Sequence, residues 1–238
     1  MTAHRSDWRE SPDRRRVATA AACLPFFLLL GGCDRLLTTR LRCRLTAYAR
    51  LDGRSYRGTS VVEIGSQREW MPLAEGAKRI TWVKGEAIAI ATPRRTFFVT
   101  LDVPAAGTLP VAIVESFAGH VDGPDQFGAK LTALAHQLGR TAALSPDNFP
   151  TIVYFEDPAR PETITPLPPA GSAGAAGTAI DVHAVELQIT DDPVTETIYR
   201  YLPWLKAISE ERHFKSDHGR YDFSYAGLAT RSTLIRGQ

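Results

Sequence analysis

Alternation of apolar and polar side chains is the strongest pattern in the chain. Leu41, Cys43, Leu45, Ala47, Ala49 and Leu51 alternate with Arg42, Arg44, Thr46, Tyr48 and Arg50, the period of two expected of a strand with one buried and one wet face. Asp52-Gly53 follows, a dipeptide suited to two-residue hairpin turns because both residues tolerate positive φ. The return strand is predicted over 54–65, with Tyr56, Ser60, Val62 and Ile64 on one face. A second strand pair is predicted over 80–91 and 96–101, turning at Pro93-Arg94-Arg95. Residues 151–155, Thr-Ile-Val-Tyr-Phe, read as a short buried strand. Residues 180–190 read as another, whose apolar face changes near His183 as a bulge would cause.

Helical spacing is rarer. Over 125–138, Phe127, Leu131, Leu134 and Leu138 share one face, with Asp125 placed to cap the start and Gly139 to close the end. Residues 109–117 are apolar throughout; Val111, Ile113 and Val114 favour a strand there, and a helix stays open as the alternative. Asp192-Pro193 offers an N-cap followed by proline at the first helical position. That predicts a short helix with Ile198, Tyr199 and Leu202 on its apolar face, ended by Leu202-Pro203-Trp204-Leu205. Residues 157–179 hold five prolines and three glycines and read as a long loop. The glycine run at 171–177 lacks dinucleotide-binding spacing and precedes a strand, so a phosphate loop is not expected. The tail from 216 to 238 reads as turn and short strand. Strands dominate and pair as hairpins. The expected fold is α+β, a mainly antiparallel curved sheet or sandwich with one or two packed helices, as a single domain over 41–238.

The N-terminus obeys a different pattern. Arg14-Arg15-Arg16 precedes 14 uncharged residues, Val17 to Leu30, too few for a spanning helix, which needs about 20. Such a run fits the apolar region of a secretory signal. It closes on Leu30-Gly31-Gly32-Cys33, which resembles the lipobox of bacterial lipoproteins. The resemblance implies cleavage before Cys33 and acylation of its thiol. Residues 1–32 would then be a removed signal, 33–40 a tether, and the protein would sit on the periplasmic side of the inner or outer membrane. Acyl burial contributes about 0.8 kcal/mol per methylene, so two or three chains anchor stably.

A second resemblance rests on Arg44-Leu45-Thr46 through Gly58-Thr59-Ser60-Val61-Val62-Glu63-Ile64, on Thr190-Asp191-Asp192-Pro193-Val194-Thr195 and on Leu202-Pro203-Trp204-Leu205. These segments resemble a group of uncharacterised alphaproteobacterial proteins. The resemblance implies fold and lineage and carries no activity.

Charge sharpens this picture. The 238 residues hold 28 basic and 26 acidic side chains. Residues 1–32 contain five arginines and three acids, which is the whole net charge of +2. A neutral remainder argues against nucleic-acid binding, which needs concentrated positive charge. Residues 34–57 nevertheless carry seven arginines against two acids. Arg42, Arg44 and Arg50 on the wet face of the first strand are therefore expected to face anionic lipid headgroups.

Candidate chemistry is sparse. The common catalytic signatures, H-E-x-x-H, G-x-S-x-G, S-x-x-K, C-x-x-C and Walker A, do not occur. With Cys23 in the signal and Cys33 acylated, Cys43 is the one remaining thiol and reads as buried and inert. His213, Asp217 and His218, with Asp222 beyond, have spacing a divalent ion accepts, but a solvated loop is the favoured reading. His120, Asp122 and Asp125 read as turn and cap, and His136 and His183 as packed or surface histidines. Tyr199, Tyr201 and Trp204, with Phe223 and Tyr225, form the one aromatic concentration, either a binding face or packing on the sheet. The leading expectation is a lipid-anchored envelope protein with a non-catalytic binding or scaffolding role, without cofactor, partnered by the membrane and by an envelope protein. The alternatives are a periplasmic metal-dependent hydrolase using His213, Asp217 and His218, and a structural subunit of an envelope membrane complex.

Overall fold

The computed structural model describes residues 38–69, 78–104, 107–167, 180–208 and 230–237. The first hairpin forms as the alternation demands. Strands β1 (Thr38–Leu51) and β2 (Arg54–Glu69) meet at Asp52 and Gly53, whose φ values of +52° and +74° are those of a type I′ turn. Every apolar position of β1 from Leu41 to Leu51 is buried. β1 begins at Thr38, so the last three residues expected in the tether are strand. β2 continues four residues beyond the expected end at 65.

The single strand expected over 80–91 is two. β3 (Lys78–Glu86) pairs with β2, and β4 (Ile88–Ala91) pairs with β5 (Thr96–Val99) in a different sheet. The chain changes sheet at Gly85, whose φ is +147° and whose Cα lies so close to β2 that a Cβ would sit 2.8 Å from Val62 Cγ1. Two residues on, the amide of Ala87 leaves both ladders and donates to the Leu234 carbonyl at 2.7 Å.

The apolar stretch at 109–117 is helix α1 (Leu109–Ala118). Its buried residues include Leu109, Ala112, Ile113 and Phe117, a 3.6-residue spacing that packing enforces over the β preference of valine and isoleucine. Helix α2 (Gly123–Leu134) stops four residues before the expected end. Leu138 is 65% exposed, because Gly139 donates to the Ile189 carbonyl and Arg140 accepts from the Ile189 amide, pulling the chain onto the next strand. Asp122, not Asp125, occupies the N-cap position, and its amide is satisfied by the Gln126 side chain.

Ten strands form two antiparallel sheets among the described residues. The first has the order β10-β3-β2-β1-β9-β6, with β6 (Thr141–Ala143), β9 (Asp181–Thr190) and β10 (Ile235–Arg236). The second has the order β4-β5-β7-β8, with β7 (Ile152–Phe155) and β8 (Ile164–Pro166). β8 lies inside the expected 157–179 loop, preceded by a 3₁₀ turn at Pro161–Thr163; residues 168–179 lie outside the described set. The bulge expected in β9 is present. Tyr48 pairs with Ala184 and Ala49 with Val182, which leaves His183 as the extra residue.

The fold is thus α+β and sheet-dominated, and two cores hold it. One is shared by the inner face of the first sheet, helices α1 and α2 and one face of the second sheet. The other joins Phe98, Val153, Phe155 and Ile164 from the opposite face to Ile198, Leu202, Leu205, Leu234 and Ile235. No helix opens at Asp192-Pro193. That segment is extended against β2, where Thr195 donates to the Val61 carbonyl at 3.1 Å and its hydroxyl accepts from the Val61 amide at 2.8 Å. Two 3₁₀ turns follow, Ile198–Arg200 and Pro203–Lys206. Within the tail, helical turn α3 (Arg231–Leu234) leads into β10.

Candidate functional site

The outward face of the first sheet carries the three arginines expected to be basic contacts. β1 sets them in a row because its inward positions are apolar, and β9 lies alongside with Thr190 opposite Arg42 and Gln188 opposite Arg44. Arg42 Nε donates to Glu63 Oε2 at 2.9 Å, and Arg42 Nη1 to the Asp191 carbonyl at 3.3 Å. Arg40 Nη1 approaches the other oxygen of Glu63 at 4.0 Å. Arg44 donates to Gln188 Oε1 at 2.5 Å and pairs with the Asp192 carboxylate. Arg50 is exposed, and neither it nor Arg57 has a hydrogen-bond or ion-pair partner among the described residues.

The face is therefore mixed in charge. Arg40, Arg42, Arg44, Arg50 and Arg57 stand among Glu63, Asp192 and Glu186. The Tyr48 hydroxyl donates to Glu186 Oε2 at 2.8 Å, and this bond to a carboxylate raises the phenol above its ordinary pKa, with burial and the Glu186 charge adding to the shift and Arg57 opposing it. At the other end of the row, Arg40 stacks 5.7 Å from the centre of the Trp82 ring. Surface pairs of this kind contribute little to stability, so the arrangement sets where positive charge is available more than how firmly the sheet holds.

Tyr199, Tyr201 and Trp204 are brought together by the two 3₁₀ turns, and their rings pack onto the second sheet. Tyr201 meets Phe98 edge-on at 6.1 Å, and Trp204 meets Phe155 at 5.6 Å. Trp204 Nε1 donates to the Pro158 carbonyl at 2.7 Å, and the Tyr199 hydroxyl accepts from Arg231 Nη2 at 3.0 Å. Of the three, Tyr201 is the most open, at 36% exposure. These aromatics tie the C-terminal segment to the sheet.

Cys43 is fully buried, and burial pushes its thiol up to about 12, far from the range of a nucleophile. His120 bridges Glu115 Oε1 at 2.9 Å and Asp122 Oδ1 at 3.2 Å in an exposed loop. Lys130 Nζ donates to the Gly119 carbonyl at 3.1 Å and also to that of His120, so this loop is held by structural bonds. His136 and His183 are exposed. No three His, Cys, Asp or Glu side chains gather as metal ligands among the described residues. Cys33, His213, Asp217, His218, Asp222, Phe223 and Tyr225 lie outside them.

Sequence reasoning overlooked Glu63. A two-residue turn between Leu51 and Arg54 sets Arg42 directly opposite Glu63, so this cross-strand pair was available from the register alone. Asp192, 148 residues from Arg44, left no such local sign. No family model, no curated protein and no solved structure matches the chain.

Proposed function

We propose that the protein is a cell-envelope lipoprotein, exported under the signal in residues 1–32 and acylated at Cys33, whose α+β domain binds or scaffolds without catalysis. The observation that carries the reading is Leu30-Gly31-Gly32-Cys33, which closes the run of 14 uncharged residues, Val17 to Leu30, that follows three arginines. The start of β1 at Thr38 supports it, since four residues, 34–37, lie between that strand and the cysteine. Fully extended, that link reaches roughly 17 Å, which holds the first sheet close to any bilayer that takes the lipid. The arginine-bearing face of β1, with Arg42, Arg44 and Arg50, is then the surface offered to anionic headgroups.

Replacing Cys33 with alanine in cells fed radiolabelled palmitate tests the reading. Label is expected to vanish and the chain to leave the membrane fraction after signal cleavage. Undiminished labelling would remove the anchor, and with it this function.

A further inference from the structure

We infer that a cleft at the tip of the first hairpin is a binding site for a phosphate monoester. It has a volume of about 300 Å³ and is lined by Leu51, Asp52, Arg54, Tyr56, Pro93 and Arg94, a size at the lower end of small-molecule sites. Two tight turns build its walls. One is the Asp52-Gly53 turn. The other joins β4 to β5, where Thr92 N–H donates to the Arg95 carbonyl at 3.1 Å, and the Thr92 hydroxyl donates to the same oxygen at 2.7 Å while accepting from the Arg95 amide at 3.2 Å. Arg94 Nη1 meets Asp52 Oδ2 at 3.1 Å in an exposed pair that links the two turns. The Thr92–Arg95 hydrogen bonds hold the second turn in shape before any ligand arrives, which lowers the entropic cost of ordering it.

Charge selects the ligand. Among the described residues Asp52 is the one carboxylate lining the cleft, against the two guanidinium groups of Arg54 and Arg94. Asp52 is engaged by Arg94, and Arg54 has no hydrogen-bond or ion-pair partner among the described residues. Among the described residues one positive charge is therefore uncompensated in the cleft, with the equally unpaired Arg50 and Arg57 on the two strands that lead to it. A guanidinium presents a planar fork of N–H donors that fits oxyanions bidentately. Two forks from two turns suit the three terminal oxygens of a phosphate monoester dianion, whereas the two oxygens of a carboxylate are satisfied by one fork. Leu51, Tyr56 and Pro93 supply an apolar wall for the small organic group that the phosphate carries.

The phosphate can belong to a lipid headgroup or to a soluble compound. The cleft lies at the Leu51 end of β1, roughly 44 Å along the strand from Thr38. Headgroups reach it only when β1 lies along the bilayer surface.

The test titrates sn-glycerol 3-phosphate into the full-length protein, reconstituted in phosphatidylcholine vesicles, by isothermal titration calorimetry. Binding is expected with a Kd below about 1 mM and none with glycerol. Arg54→Gln and Arg94→Gln, each checked for native near-UV circular dichroism, should each weaken it by about tenfold or more. Arg68→Gln, exposed on the same strand but 14 residues beyond Arg54, should leave it within about twofold. Replacing part of the phosphatidylcholine with phosphatidate identifies the source. A fall in apparent affinity shows that lipid phosphate enters the cleft; an unchanged affinity shows a site for soluble esters. No heat of binding, or equal affinities in the wild type and both cleft variants, overturns the inference. It does not depend on acylation of Cys33, because the cleft variants are read by phosphate binding and not by membrane attachment.

Discussion

Glu86 is 2% exposed at the point where the chain passes from one sheet to the other. A carboxylate removed from water is costly unless donors surround it. Here Oε1 accepts from the Thr197 amide at 2.8 Å and the Thr197 hydroxyl at 2.7 Å, and Oε2 accepts from the Ile198 amide at 2.9 Å. The side chain thus satisfies the start of the Ile198–Arg200 turn and fastens the C-terminal segment to the β3–β4 kink. Glu86→Gln keeps the shape but turns an NH2 group toward one of those donors. A loss of about 2 kcal/mol is expected, roughly 4–8 °C in Tm for a chain of this length. A thermal midpoint that does not move in the variant would show that the carboxylate does not carry this junction. Arg95 illustrates a different compensation. Its Nη1 is buried with no hydrogen-bond partner, the nearest carboxylate being Glu156 at 3.8 Å, and its guanidinium stacks 4.4 Å from the Tyr154 ring centre.

Among the elements, the second sheet explains why its strands lack alternation. Ile152, Val153, Tyr154 and Phe155 are all buried because Ile152 and Tyr154 face one core while Val153 and Phe155 face the other. Phe97 and Phe98 divide in the same way. A strand covered on both faces reads as a continuous apolar run. The two sheets come into close contact at Gly58, where a Cβ would lie 2.3 Å from the Ala89 carbonyl oxygen. The obstacle is backbone, so β4 must move to admit a methyl group. Gly58→Ala should lower stability by about 1–3 kcal/mol, seen as an earlier urea midpoint with an unaltered slope. Wild-type stability in that variant would mean that the sheets do not meet there. Helix α1 makes the complementary point: its β-branched residues are overruled by a partner surface that takes Leu109, Ala112, Ile113 and Phe117 together.

For the whole molecule, the basic bias of residues 34–57 survives only in part. Arg40 and Arg42 share Glu63, and Arg44 has Asp192. Among the described residues, the arginines of this segment with no hydrogen-bond or ion-pair partner are Arg50, Arg54 and Arg57, gathered toward the hairpin tip. Membrane attraction should therefore depend more on Arg50 and Arg57 than on Arg42 and Arg44. In a chain beginning at Asp34, replacing Arg50 and Arg57 with glutamine should weaken binding to phosphatidylglycerol vesicles by roughly 30-fold, at about 1 kcal/mol for each charge lost near the surface. Flotation at low and physiological salt measures it, since screening should narrow the difference. Equal flotation of variant and parent would exclude this face from membrane contact.

The first hairpin, its turn, the burial of every second residue in β1, the bulge at His183 and the sheet-dominated class are legible in the order of residues. Each follows from the local period of two or from a turn dipeptide, physics that acts between near neighbours. The Arg42–Glu63 pair belongs with them, because a two-residue turn dictates the register. Packing between distant segments set the rest. It divided 80–91 between two sheets, made 109–118 a helix, ended α2 at Leu134 and drew 192–197 out as extended chain. It also decided which arginines are neutralised, because Arg44 meets its carboxylate across 148 residues. The cleft between the Asp52-Gly53 and Pro93-Arg94 turns has the same origin: each turn is legible alone, and only the packing of one sheet against the other places Arg54 and Arg94 around a shared space.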